Sequence, residues 1–347
     1  MKLHPLLEDP RAVLVTRTPL PGAATREHFR RAAVNTLSAI GLVLEGENAV
    51  IKPNATVAES FADPDSGVGT HPSFVQGLAE YLLAHGARRD GLYVLEDPRN
   101  RDDDEPRHWR DTGYPELQTA LGVKLCSPTS TTCVEKTVPR PQAHATLKVS
   151  ELAVAPDSVL INVPKMKTHN LAITTLSLKN LMGVVNVFDR HFCAQALREI
   201  PEAVAAGDQP KNLWMDRALH EQWQAGLARR LIDVAQVVQP HLNIVEGIVA
   251  RDGTGFNRGQ NYPLGLCVAG VNMVAVDSVA GYLMGFDPQA LVTLRMATEA
   301  GLGTADLGRL RIYGEDGGEL VPCEDIAALR ARPPLRVISN IKGEEAV

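Results

Sequence analysis

The stretch Val159-Leu160-Ile161-Asn162-Val163-Pro164-Lys165-Met166-Lys167-Thr168-His169-Asn170 decides the reading of this chain. Its first half is too apolar for a half-exposed strand and too short for a helix, which is the pattern of a strand buried on both faces. The run stops at Pro164 and passes at once into two lysines and a histidine. In open α/β sheets ligands sit beyond the carboxyl ends of strands, so polar groups at such an end are well placed to meet one. Lys165 and Lys167 share one side while the chain stays extended, because strand side chains repeat every two residues. Two ammonium groups there suit a carboxylate or a phosphate. The competing reading is that both snorkel into solvent, and charge alone does not separate the two.

Working outward, short β-branched runs recur, each followed by a longer segment of helical periodicity. Strands are predicted at Ala12–Thr16, Asn48–Lys52, Leu92–Glu96, Ser158–Val163, Leu242–Glu246, Leu264–Val268 and Arg309–Tyr313. Helices are predicted at Thr25–Ile40, Pro72–His85, Ile173–Leu181, Trp214–Val238, Met273–Met284 and Pro288–Ala300. This alternation gives an α/β fold, Rossmann-like, with a mostly parallel sheet covered by helices. One domain is expected over residues 1–315, followed by a charged, proline-bearing tail over 316–347. Two stretches break the rhythm. Residues 97–141 carry the charge run Arg99–Arg107 and read as an inserted lid, and residues 184–214 read as an irregular loop over a site.

Acidic residues outnumber basic ones, 41 to 35, leaving a formal charge of -6. That balance argues against nucleic acid as the main partner. Prolines and acids occupy the first ten residues where a signal peptide needs an apolar run, and no stretch is long and apolar enough to span a bilayer, so a cytoplasmic protein without membrane partners is expected. The five cysteines, Cys126, Cys133, Cys193, Cys267 and Cys323, lack the close pairs of zinc ribbons and ferredoxin clusters. They read as reduced, mostly buried thiols.

Further candidates lie at other strand ends and on the irregular loop. Lys52-Pro53-Asn54 leaves one strand as a basic and an amide group, and Glu246 ends another. Lys179 and Asn180 lie near the end of the predicted helix that Gly183 stops. Asp277 is the one acid in an apolar helix start, either an amino-terminal helix carboxylate or a buried partner for a lysine. His169, Asp189, His191 and His220 carry the nitrogen and oxygen donors of a divalent-metal site, although no pair has diagnostic spacing. The glycines of Asp252–Gly259 do not have the dinucleotide spacing, and Asn261-Tyr262-Pro263 forbids the helix that should follow. That loop reads as a turn-rich connection, with an anion cradle as the lesser alternative.

Taken in order, Ile51-Lys52-Pro53-Asn54, Ile161 to His169, Thr175-Leu176-Ser177-Leu178-Lys179-Asn180-Leu181-Met182-Gly183, Asp189-Arg190-His191, Val245-Glu246-Gly247 and Val274-Ala275-Val276-Asp277 resemble proteins of the DUF362 family. The resemblance runs from about Ala49 to Gly314. Many members carry a ferredoxin-like cysteine cluster beside this domain, which implies redox work or electron delivery. This chain lacks those cysteines and resembles the form without that cluster, so no self-contained iron–sulfur centre is expected and an external electron donor would have to supply electrons. The domain is also similar in fold to the amino-terminal domain of lactate-racemase-type proteins, which transfers no mechanism.

The expectation is an enzyme acting on a small carboxylate- or phosphate-bearing metabolite. Lys165, Lys167, His169 and His191 would supply catalytic groups, and Lys52, Asn54, Lys179, Asn180, Glu246 and Asp277 would bind substrate. A divalent metal or an external redox partner is the candidate helper, and the reaction class stays open among isomerisation, elimination and redox chemistry. The alternative is a non-catalytic carrier of a metal, cofactor or small anion.

Overall fold

The computed structural model describes residues 1–55, 65–98, 109, 112–186, 189–202, 215–256, 258–339 and 341. The predicted charge run and the second half of the irregular loop lie outside these residues. What is described is an α/β fold around one large, mostly parallel sheet.

Its strands are β1 (Ala12–Arg17), β2 (Asn48–Pro53), β3 (Leu92–Leu95), β4 (Lys124–Cys126), β7 (Ser158–Val163), β10 (Leu242–Arg251), β12 (Leu266–Gly270), β13 (Arg311–Asp316) and β14 (Glu319–Pro322). They are ordered β14-β13-β1-β12-β10-β7-β2-β3-β4. The run β10-β7-β2-β3-β4 is parallel throughout, whereas β12 runs antiparallel to both β1 and β10. Three short strands branch off: β8 (Lys165–His169) on β10, β9 (Ile173–Thr174) on β8 and β11 (Asn261–Tyr262) on β10. A separate hairpin joins β5 (Cys133–Thr137) to β6 (Thr146–Ser150).

Because strand side chains alternate, each central strand feeds two cores. Ala49 and Ile51 of β2, with Ile161 and Val163 of β7, pack under α1 (Arg26–Ile40) and α2 (Pro72–Ala84). Val50 and Leu160 face the opposite layer, built from α5 (Phe192–Arg198) and α6 (Arg217–Val237). Val13, Val245 and Val268 meet α7 (Met273–Met284), which packs in turn on α8 (Val292–Glu299). Covered on both faces, the middle strands need continuous apolar sequence, as predicted.

Three expectations change. The predicted lid is, over residues 112–126, part of the sheet layer: Tyr114, Leu117 and Val123 are buried, α3 (Pro115–Leu121) covers them and β4 pairs with β3. The predicted helix from Ile173 starts only at Ser177, as α4 (Ser177–Asn180) continued by a 3-10 turn over Leu181–Val184. Ile173 and Thr174 pair instead with β8, and β-branched residues suit that extended pairing. The segment expected as a charged tail after residue 315 carries a strand and buried side chains among its described residues. Gly317 and Gly318 both take positive φ and turn β13 back into β14, while Leu335, Val337 and Ile341 are buried.

One carboxylate fixes a long connection to the helical layer. Asp233 of α6 accepts the backbone amides of Gln142, Ala143 and His144 at 2.8, 2.7 and 2.8 Å. Replacing Asp233 with alanine leaves three amides without their acceptor, and chemical denaturation should show a loss of at least about 2 kcal/mol.

Candidate active site

The carboxyl ends of β2, β3 and β7 converge with β8 and β10 on one patch, and almost every polar side chain there is shut off from water. Lys52 leaves β2 with its ammonium 2.5 Å from Glu96, 2.7 Å from the Pro53 carbonyl and 3.1 Å from Asn180 Oδ1. Lys165 begins β8 2.5 Å from Glu246, whose carboxylate also accepts the amides of Ile248 and His71 at 2.9 and 3.3 Å. Both lysines are fully buried, and so is Lys167, so neither Lys165 nor Lys167 snorkels into solvent. Burial lowers the pKa of each, opposed by the paired carboxylate. Lys165 is therefore committed to Glu246 and is not a spare cation for a substrate.

Lys167 differs. Its amine is equally buried but has no carboxylate partner among the described residues: it donates to the Val68 carbonyl at 2.6 Å and lies 4.5 Å from the centre of the Phe256 ring. Burial lowers its pKa well below the ordinary lysine value, and Lys179, Lys165 and Arg251 push the same way. Lys179 is half-buried on α4, and its ammonium makes no hydrogen bond or ion pair with a described residue. Its charge also lowers the pKa of Lys52 and His169.

His169, at the end of β8, accepts two backbone amides on Nδ1, from Leu171 at 3.0 Å and Ala172 at 3.2 Å. With that lone pair used, the proton of the neutral ring sits on Nε2. Burial and the neighbouring lysines hold its pKa well below the usual histidine range. With Nδ1 occupied, the imidazole presents Nε2–H as a hydrogen-bond donor. The segment that supplies the two amides carries a strained residue directly after them, Ile173 at φ 63°.

The short helix carrying Lys179 and Asn180 is fixed from several sides. Asp277 on α7 accepts the amides of Ser177 and Leu178 at 2.7 and 2.9 Å, so it caps another helix and is no partner for a lysine. Asn180 donates to Asn162 on β7 at 2.8 Å, and Asn162 donates to Asn243 on β10 at 3.0 Å. Asn54 reaches Asn180 through Nδ2 at 3.4 Å and leaves its own buried Oδ1 without a partner. Gly183 follows with no room for a side chain, since a Cβ there would lie 2.1 Å from Glu96 Oε1.

The other sequence candidates fall elsewhere. His191 is exposed and precedes α5. His220 is buried on α6, its Nε2 3.2 Å from the Asn170 carbonyl, near enough for its charge to depress His169. Asp189 is half-buried and its carbonyl accepts from Gln195. Among the described residues no three His, Cys, Asp or Glu side chains come together in a way that would hold a metal ion, so His169, Asp189, His191 and His220 do not form the expected donor set. Sequence reading missed Glu96, Val68 and Phe256. Glu96 ended a predicted strand, where Lys52 ending its neighbour was the available signal. The loop Asp252–Gly259 contributes Phe256 as an aromatic wall, its ring 5.9 Å from that of His169. Arg190, beside His191 in the sequence, pairs with Asp97.

Fold and site define an α/β protein with a lysine-rich centre at the carboxyl ends of its parallel strands. The sequence profile described as Domain of unknown function (DUF362) matches residues 49–281, and the chain belongs to that family. It is also similar to "Thylakoid-associated protein sll1697" of Synechocystis sp., 28% identical over 156 residues. That alignment covers 45% of this chain and 41% of the relative. No helix among the described residues is long and apolar enough to cross a membrane.

Two outcomes test this geometry. Lys165→Met or Glu246→Gln strands a buried charge and should each cost about 3–5 kcal/mol, whereas Lys165→Met combined with Glu246→Leu should recover part of that loss in denaturant titrations. Burial pushes the Asp277 carboxyl up to about 7 against the pull of its two amides. A raised carboxyl pKa contributes stability that is present below the unfolded value and is lost as pH rises through the folded one. Wild type should therefore lose stability relative to Asp277→Asn between about pH 4 and pH 7, with no further change above about pH 8, followed by thermal midpoints across that range.

Proposed function

We propose that this chain is an enzyme for a small anionic metabolite bearing a carboxylate or phosphate, gripped by the Lys179 ammonium and the neutral His169 Nε2–H. The observation that carries this reading is Lys179, a half-buried cation without a partner among the described residues, held by α4 beside His169. Four lysines, Arg190 and Arg251 gather here against the carboxylates of Glu96, Asp97 and Glu246, so the centre has cationic charge to spare among the described residues. A bound anion would balance that excess. Lys167 favours catalysis over simple carriage, since a buried amine without a counter-ion is suited to accept a proton or attack an electrophile. A carrier would need only Lys179 and His169.

The test is a thermal-shift panel of small mono- and dicarboxylates, inorganic phosphate and sugar phosphates. At about a hundredfold excess over Kd, a ligand adds about 2.7 kcal/mol, read as a midpoint several degrees higher. Lys179→Met should abolish the shift while leaving the unliganded midpoint near that of wild type, whereas His169→Phe should abolish it with a lowered unliganded midpoint, because the Leu171 and Ala172 amides lose their acceptor. A panel with no stabilising anion, or a full shift retained in Lys179→Met, would sink the proposal. Recovering the stabilising ligand chemically unchanged after long incubation would favour the carrier.

A further inference from the structure

We propose that Lys167 is a covalent catalytic residue, whose ε-amine forms an imine with the carbonyl carbon of a 2-oxo acid while Lys179 and His169 hold the acid's carboxylate. This rests on the anion site just described and specifies its substrate class. The buried lysines of the centre fall into two kinds. Lys52 and Lys165 spend their charge on Glu96 and Glu246, and neither amine is spare. Lys167 has a backbone carbonyl and an aromatic face instead. A lysine buried without a carboxylate and beside other cations is the environment that favours the free, nucleophilic amine. Lys167 and His169 both face Phe256, the amine 4.5 Å from the centre of its ring and the imidazole 5.9 Å from it, so an anion held by His169 lies on the same aromatic wall as the amine. A 2-oxo acid carries its carboxylate and its electrophilic carbonyl on adjacent carbons, and it can meet both groups at once.

In the forward step the Lys167 nitrogen lone pair forms a bond to the carbonyl carbon, and the carbonyl π pair moves onto its oxygen. A proton passes from nitrogen to that oxygen to give a carbinolamine, and loss of water leaves the imine. No oxidant or reductant is consumed. The neighbouring cations favour the neutral imine over its protonated form, and the Phe256 ring face offsets part of that penalty.

The experiment incubates the full-length protein with pyruvate and sodium cyanoborohydride, which reduces an imine to a stable secondary amine, followed by intact mass and peptide mapping. The expected result is one reduced pyruvate per chain, mapped to Lys167 and absent in Lys167→Arg. In Lys179→Met the same adduct should need at least tenfold more pyruvate, and acetone, which lacks the carboxylate, should label Lys167 at least tenfold more slowly. Because mapping is done on wild type, the test stands even where a Lys167 variant folds poorly. Label spread over other lysines, or no label on Lys167, overturns the inference. Pyruvate that raises the thermal midpoint without forming the adduct overturns it while leaving the anion site intact.

Discussion

Lys52 and Glu96 sit 2.5 Å apart at the ends of adjacent parallel strands, with neither side chain in contact with water. Each charge taken alone into such a place would cost several kcal/mol, so both have to be matched and their remaining hydrogen-bonding capacity filled. The structure does this with backbone and amide groups. Lys52 adds the Pro53 carbonyl and Asn180, and Glu96 accepts the Asp97 amide at 2.8 Å. The chain at Gly183 passes so close to the pair that only hydrogen fits there. The order β7-β2-β3 brings the two strand ends together, and the short helix of Ser177–Asn180 closes over them. The Lys165–Glu246 pair repeats this arrangement on the next strands along.

These pairs make the rest of the centre rigid enough to hold an unpaired charge. Four residues are too few for a helix to be stable by itself, so the Lys179 helix depends on its contacts. Asp277 caps its start, and Asn180 anchors its end to Lys52 and Asn162. Lys179 lies between those two anchors. Its backbone position is therefore set by groups that are themselves saturated. The strained backbone at Ile173 does the same for His169, because the turn after the strand is what aims two amides at Nδ1.

Much of this was legible in the residues. Ser158–Val163 is a strand from end to end as read, because an unbroken apolar run bounded by a proline has few other homes in an α/β protein. Met273–Met284 is equally clear, with Asn272 as its cap and Gly285 past its end. The errors have physical causes. Ile173–Thr175 was absorbed into a helix because periodicity cannot see that α4 begins where Asp277, a hundred residues away, accepts its first amides. The hairpin at Gly317-Gly318 carried its own signal, paired glycines between short runs, and was lost in a segment read only for charge. Lys165 and Lys167 look alike in sequence. Only the third dimension shows one matched by Glu246 and the other set against a ring and a carbonyl.

That difference turns a lysine-rich strand end into a device with separate parts. A carboxylate within reach of Lys167 would hold it as an inert ammonium, as Glu246 does for Lys165, and an arginine in its place would be charged whatever surrounded it. Lysine is the cationic side chain whose charge burial can disfavour, and burial, Lys179, Lys165 and Arg251 all lower the pKa of Lys167. Lys179 lies half-buried on its short helix, with no partner for its ammonium among the described residues. Two residues of the same type thus stand in different surroundings, one fully buried against a carbonyl and a ring and the other half-exposed. The carboxylates of the two buried pairs are what make this division hold. They match Lys52 and Lys165 and leave Lys167 and Lys179 without a carboxylate among the described residues.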